Sequence, residues 1–167
     1  MQTFLGKISL TVITWLVLLS TCYGAMSANS DNTISLDLAG DIEPMCKVRN
    51  NVKSRSMNLD LSSNTAQKTN NVFIWCNTGQ SNAQATYSSL NDGVLVNENG
   101  DSIPYLFTVA NTASNLSLAT PQTVTQRTGS GTAGADKGRV IKIKPQVNGF
   151  ERAGTYRDTI SVTVSFD

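Results

Sequence analysis

Beyond residue 30 the apolar side chains recur at every second position, and this alternation limits the possible folds more than any other feature. It is clear in residues 34–38 and again in residues 57–61, where Ile, Leu or Met alternates with a polar residue. A spacing of two is that of a strand with one buried face, whereas a helix would need a spacing near 3.6. Residues 71–76 are apolar on both faces, which predicts a central strand covered on both sides. The alternation therefore predicts an all-β domain.

Turn-forming residues separate the alternating segments at short intervals. Residues 97–101, with the sequence Asn-Glu-Asn-Gly-Asp, lie between two segments that are able to pair as a hairpin. Short strands joined by turns of this kind predict a β-sandwich. The other predicted strands are residues 83–87, 94–96, 103–109, 122–127, 139–147 and 155–166.

The first 28 residues have the pattern of a signal peptide. A start with one positive charge, Lys7, leads into an almost wholly apolar segment at residues 8–20, and small residues follow. This segment is short for a bilayer span, so we expect cleavage between about residues 22 and 29 rather than retention as a membrane anchor. A lipoprotein modified at Cys22 is a further alternative, although Thr21 stands where a small Gly, Ala or Ser is wanted. We therefore expect an exported protein whose mature chain is not inserted in a membrane.

The cysteines predict one disulfide. Cys22 leaves with the leader, and Cys46 and Cys76 remain as an even pair in a chain bound for an oxidising compartment. The alternative is two free buried thiols. A bond that closes a loop of this length contributes about 3 to 4 kcal/mol in the chain-entropy model.

Charge and histidine content exclude several classes of function. Removal of the leader takes away Lys7 and leaves equal numbers of basic and acidic residues, so neither nucleic acid nor an anionic membrane is indicated as a partner. The chain has no histidine, the commonest general base and a common metal ligand. Residues 97–101 lack the spaced carboxylates of an EF-hand. The sequence thus predicts a protein that is not an enzyme, with no catalytic residue, metal or cofactor.

The C-terminal segment is the most specific signal in the sequence. A Gly-x-Tyr-x-Asp-Thr opening, which begins at Gly154 and includes Tyr156, leads into a strand with an aromatic residue, Phe166, in the penultimate position. This segment resembles the C-terminus of chaperone-usher pilins of the spore coat protein U domain type, including archaic, Csu-like pilus subunits. In that family a glycine commonly stands fourteenth from the end, where Gly154 stands here. The alternating apolar residues of the strand are Ile160, Val162, Val164 and Phe166.

The resemblance extends to the other end of the mature chain. Residues 33–38, followed by Cys46, look like the family's N-terminal extension and first disulfide cysteine, and residues 71–76 look like the strand that carries the second cysteine. Residues 41–45 are less typical, and residues 88–128 match only in their β character. After the signal peptide expected at 1–28, the resemblance thus implies an extension at 29–40 and a pilin-like domain at 41–167.

The family match also implies a fold, a set of partners and a location. It implies an Ig-like β-sandwich that lacks its last strand, and this gap must be filled by a strand from a partner. The strand containing Gly154, Tyr156 and Ile160 would pair first with a periplasmic chaperone. Exchange at an outer-membrane usher would then place Ile34, Leu36 and Leu38 of a neighbouring pilin subunit in the gap. The product would be a surface fimbrium that contributes to adhesion or biofilm formation.

Three other interpretations remain open at this point. The chain could be a minor or tip subunit that binds a carbohydrate or a receptor. It could also be a self-contained β-sandwich of a coat or surface layer. Finally, residues 34–38 could be an ordinary first strand that folds into its own domain, because alternation does not identify the molecule to which a strand belongs.

Overall fold

The computed structural model describes residues 34–50 and 57–166. The predicted signal peptide, residues 1–28, lies outside the described residues. The chain divides between Asp41 and Ile42 into two units, which are treated separately below. No helix in the described part of the chain is long and apolar enough to cross a membrane.

The second unit is built from β-strands. Their order agrees with the predicted alternation of short apolar segments and turns. The strands are β1 (Cys46–Asn50), β2 (Gln67–Cys76), β3 (Asn82–Ser89), β4 (Val94–Val96), β5 (Ser102–Val109), β6 (Ala113–Leu116), β7 (Gln122–Arg127), β8 (Lys137–Pro145) and β9 (Ile160–Ser165).

The strands form two antiparallel sheets. The larger sheet has the order β1-β2-β8-β5-β4, with β6 also paired to β5, and the smaller sheet has the order β7-β3-β9. The two sheets share one core, in which the Tyr87 ring of the smaller sheet lies 4.8 Å from the Phe107 ring of the larger one. The predicted all-β sandwich is confirmed for the described residues.

The core is made from the inward-facing positions of both sheets. Alternate residues of β2, β3 and β5 are buried while their neighbours are more exposed, as a half-buried strand requires. The buried apolar residues are Val72, Ile74, Cys76, Ala83, Ala85, Tyr87, Leu95, Ile103, Tyr105, Phe107, Val109, Leu118, Ile141 and Ile143.

The predicted disulfide between Cys46 and Cys76 is confirmed. The two cysteines are cross-strand partners in the β1–β2 ladder, with their Cα atoms 4.1 Å apart. β2 is also central, as predicted, because it pairs with β1 on one side and with β8 on the other. On the outer face of this sheet, the Lys47 side chain of β1 lies over the Trp75 ring of β2. The bond therefore fixes β1 to a central strand of the larger sheet.

Residues 57–61 do not form the predicted strand. Leu59 and Leu61 pack against the core, but the backbone turns at this point. The Gln67 side chain donates to the Asp60 carbonyl at 2.6 Å and accepts from the Asp60 N–H at 2.7 Å. Because a side chain satisfies this backbone, no neighbouring strand is required, and alternation alone gave the wrong prediction.

The ends of the sandwich also differ from the prediction. β9 begins at Ile160 rather than at residue 155, because Arg157 makes two backbone hydrogen bonds of 2.9 Å with Val96 in β4. This isolated bridge belongs to the other sheet and interrupts the expected long strand. β6, at Ala113–Leu116, was not predicted, because its sequence lacks regular alternation.

The first unit contributes only residues 34–41 to the described chain. These residues form no strand, and the side chains of Ile34, Leu36 and Leu38 are 92%, 79% and 87% exposed. The prediction of a half-buried strand at residues 34–38 is therefore wrong for this structure. Alternation specifies the faces that a strand would present but does not supply the partner that would bury one of them.

Candidate functional site

An edge strand of the larger sheet lies close to an edge strand of the smaller sheet. β1 is the edge strand of the larger sheet and pairs only with β2, while β9 is the edge strand of the smaller sheet and pairs only with β3, as far as the described residues go. Cα atoms of β1 and β9 approach within 8 Å, yet no ladder joins the two strands. Each strand therefore presents one row of unpaired backbone groups, which is a template for a further strand.

A large groove lies between the two sheets beside these edges. Its volume is about 1250 Å³, which exceeds the range of about 300 to 1,000 Å³ common for small-molecule pockets. Protein cores normally contain few voids larger than a water molecule. The size of the groove indicates that the sandwich has room for a further structural element. The apolar groove floor consists of Val72, Tyr87, Leu95, Tyr105, Phe107, Ile141 and Ile143.

The rim of the groove is apolar and only partly covered. In β9, Val162 stands opposite Tyr87 of β3, so its side chain is on the inward face, but it remains half-buried. On the opposite side, Val48 of β1 and Met57 are 40% and 43% exposed. Apolar side chains facing inward would be fully buried in a complete sandwich. Their exposure shows that the described residues leave this side of the domain open.

One end of the groove is closed by residues 154–159. The backbone of Arg157 is paired with Val96, and the Tyr156 hydroxyl donates to the Arg152 carbonyl at 2.8 Å. A Cβ atom added to Gly154 would lie 3.1 Å from Nδ2 of Asn97, so a glycine permits this close approach. The segment therefore joins the smaller sheet to β4 and leaves the β1 side of the groove open.

Asp158 holds the closing segment in place. Its carboxylate accepts hydrogen bonds from the hydroxyls of Ser89 and Tyr105 and from the backbone N–H groups of Asn91 and Thr159. Ser89 lies in β3, Tyr105 in β5 and Asn91 in the turn after β3, while Thr159 is the next residue of the closing segment itself. One carboxylate thus connects both sheets at the closed end of the groove.

Replacement of Asp158 by Ala is expected to lower the free energy of unfolding by about 1 to 3 kcal/mol, because partly buried donors such as the Tyr105 hydroxyl lose their acceptor. Urea unfolding followed by tryptophan fluorescence measures the change. Glu98→Ala removes an exposed carboxylate and is the matched control, with an expected change within about 0.5 kcal/mol. Equal stability of the two variants would contradict the structural role of Asp158.

The two tyrosines of the floor are neutral hydrogen-bond donors. Burial raises the pKa of Tyr87 to about 12, and its hydroxyl donates to Oε1 of Gln126 at 2.6 Å. Burial, together with the hydrogen bond to Asp158, raises the pKa of Tyr105 well above its usual value. In the described residues no three His, Cys, Asp or Glu side chains cluster as metal ligands would. The floor of the groove therefore carries no charged side chain.

The structure places the predicted C-terminal residues around the groove. Ile160 and Val162 line it from β9, and Gly154 and Tyr156 line it from the closing segment. Val164 packs partly against the core, and Phe166 follows the end of β9 and is 40% exposed. Ile34, Leu36 and Leu38 belong to the other unit, and their role stays a prediction.

Some groove residues were not predicted as part of a site. Val48 follows the first cysteine of the pair, and Met57, Leu59 and Leu61 were interpreted only as a strand. The alternation of the last three is visible in the sequence. However, their position across from β9 depends on strand order, for which the sequence carries no local signal.

Comparison with known proteins finds a similarity in structure but none in sequence. No family model and no curated protein sequence matches the chain. Among solved structures, the chain is similar to a chain in the crystal structure of the CsuC-CsuE chaperone-tip adhesion subunit pre-assembly complex from archaic chaperone-usher Csu pili of Acinetobacter baumannii. The identity is 17% and the TM-score is 0.49, over 75% of this chain and 40% of the other. The chain therefore spans about two fifths of the length of that structure's chain.

Proposed function

We propose that this protein is a structural subunit of a surface pilus that is assembled by donor-strand exchange through the chaperone-usher pathway. The observation that carries the proposal is the groove, with its apolar floor and the unpaired backbone edges of β1 and β9. A strand added at one of these edges would account for both features, because its backbone would pair with the unpaired edge and its alternate side chains would fill the groove.

Residues 34–38 have the properties that such a strand needs. Ile34, Leu36 and Leu38 would all point to one face of an extended chain, and all three side chains are exposed to solvent. Burial of each contributes about 1.5 to 3 kcal/mol. The same segment on a neighbouring copy, or on a related subunit, is therefore the proposed occupant of the groove in the assembled fibre.

The arrangement favours a fibre over a closed oligomer. The groove and the donor segment are different surfaces, so contacts between copies are head-to-tail, and such contacts extend without limit unless the rotation closes. An empty groove exposes strand edges and apolar surface, which is an aggregation hazard. A periplasmic chaperone that lends a strand during transit, and an outer-membrane usher where the strand is exchanged, complete the proposed pathway. The assembled pilus would serve adhesion or biofilm formation.

A self-contained coat protein is less well supported. A complete sandwich would bury Val48 and Val162, and it would not retain a groove of about 1250 Å³. A role as a minor or tip subunit is compatible with the same groove and differs only in the position within the fibre.

The test is to compare the mature chain with a variant that begins at Asp41 and therefore lacks the proposed donor segment. We expect the full chain to form multimers whose mass rises with concentration, and the shortened chain to remain monomeric, by size-exclusion chromatography with light scattering. A synthetic peptide of residues 32–40 should raise the unfolding temperature of the shortened chain, since a ligand at 100 times its Kd adds about 2.7 kcal/mol.

A peptide in which Leu36 and Leu38 are replaced by Asp is the matched control. It should leave the unfolding temperature unchanged. Equal multimer formation by the full and shortened chains, or the absence of any shift with the natural peptide, would overturn the proposed function.

A further inference from the structure

We propose that an ion pair between Asp37 of one copy and Lys47 of the next copy sets the register of the docked strand. This inference rests on the proposed function, because it assumes that residues 34–38 enter the groove of a neighbouring molecule. It adds the residue pair that would select one register of the docked strand over the others.

The pattern of faces brings the two charges to the same side of the sheet. A strand with Leu36 and Leu38 in the groove turns Asp37 outward, because successive side chains point to opposite faces. In β1, Val48 stands opposite the buried Ile74 and is on the inward face, so Lys47 points outward. A strand paired with β1 therefore has its carboxylate on the face that carries the β1 cations, whichever way the strand runs.

At the other edge of the groove, β9 carries no charged side chain between Ile160 and Ser165. The outward residues of β9 are Ser161, Thr163 and Ser165, which are exposed and uncharged. An attraction between the docked strand and the outer rim must therefore come from the β1 side.

β1 has two outward-facing cations, and of these Lys47 is the one that can pair with a carboxylate of a docked strand. The Arg49 guanidinium is already bound to both carboxylate oxygens of Asp136, with Nη2 at 3.0 Å from Oδ1. The Lys47 ammonium rests 5.6 Å from the centre of the Trp75 ring and has no carboxylate partner among the described residues. Its exposed, flexible side chain is free to turn toward a carboxylate on an adjacent strand.

Apolar contacts alone do not fix the register. A slip of one residue would expose the apolar face, but a slip of two residues keeps the same side chains inward and shifts the strand by about 6.6 Å. That shift would move Asp37 away from Lys47. Since opposite charges on neighbouring strands are favourable and like charges are unfavourable, the pair distinguishes registers that the apolar side chains do not.

A charge-swap experiment on the full mature chain tests this inference. Asp37→Lys and Lys47→Asp are each expected to lower the association constant for multimer formation about threefold to tenfold at low ionic strength. The double variant, which restores opposite charges, should return the constant to within about twofold of the original. In 0.5 M salt the differences should shrink, because exposed charges are screened.

Two controls separate electrostatics from misfolding. Lys68→Asp makes the same change in net charge at an exposed position on β2 and should leave assembly unchanged. The neutral pair Asp37→Asn and Lys47→Gln should give equal losses alone and no further loss together. Full assembly by the single swaps, or failure of the double swap to recover, would overturn the register pair. If instead removal of residues 29–40 leaves assembly intact, the proposed function itself fails.

Discussion

Replacing Leu36 and Leu38 together with Asp is expected to lower the equilibrium constant for assembly by about 100-fold to 10,000-fold. Each leucine contributes about 1.5 to 3 kcal/mol when it is buried, and each 1.4 kcal/mol is a factor of ten. The new carboxylates would also have to leave water for an apolar floor that includes Phe107 and Ile143, which adds a further cost. Light scattering and electron microscopy of the purified chain measure the loss of multimers and fibres.

The matched control is Ser35→Asp. It adds a carboxylate to the same segment, but on the face that points away from the groove in the docked strand. We expect it to assemble to within about a few-fold of the original chain, since exposed charges change such equilibria by less than about 1 kcal/mol. If the Leu36 and Leu38 variant formed normal fibres, the donor segment would have to lie elsewhere in the chain.

Replacing Cys46 and Cys76 together with Ala is expected to lower the free energy of unfolding by about 3 to 4 kcal/mol. The bond closes a loop with a sequence separation of 30 residues, and the chain-entropy model gives a loss of this size. A typical domain has only about 5 to 15 kcal/mol in total. The loss should weaken β1 most, because β1 has β2 as its only strand partner in the described structure. Urea unfolding of the oxidised protein and of the double variant measures the difference.

Reduction of the natural protein with a thiol reagent should reproduce the midpoint of the double variant. Cys22→Ala should leave the stability of the purified protein unchanged if the predicted leader is removed. An unchanged midpoint in the double variant would mean that ladder pairing and core contacts alone hold β1 in place.

Local patterns predicted those parts of the fold that depend on neighbouring residues. β4 and β5 pair as a hairpin around residues 97–101, where Asn97 and Asp101 form the turn hydrogen bonds, as the turn sequence indicated. β2 is central, as its apolar residues on both faces predicted. Such features depend on side-chain period and turn chemistry, which can be read along the chain.

Features that depend on distant residues could not be predicted in the same way. The edge position of β1 depends on where β8 pairs, and the Asp158 network joins residues as far apart as Ser89 and Asp158. The inward residues of β9 were predicted, but the opposite rim at Val48 was not. Alternation identifies the apolar face of each strand. The order of the strands in both sheets determines which of these apolar faces remain exposed.

The cross-strand disulfide has a mechanical consequence in a fibre. Tension applied through the N-terminal segment would enter the domain at Cys46 and pass across the bond to Cys76, at the end of a central strand. Residues 47–75 would then lie outside the load-bearing path. A chain of that length, if pulled straight, would lengthen each subunit by roughly 100 Å. In the proposed fibre, the bond would therefore withhold this length of chain from extension when a subunit is pulled from its N-terminal end.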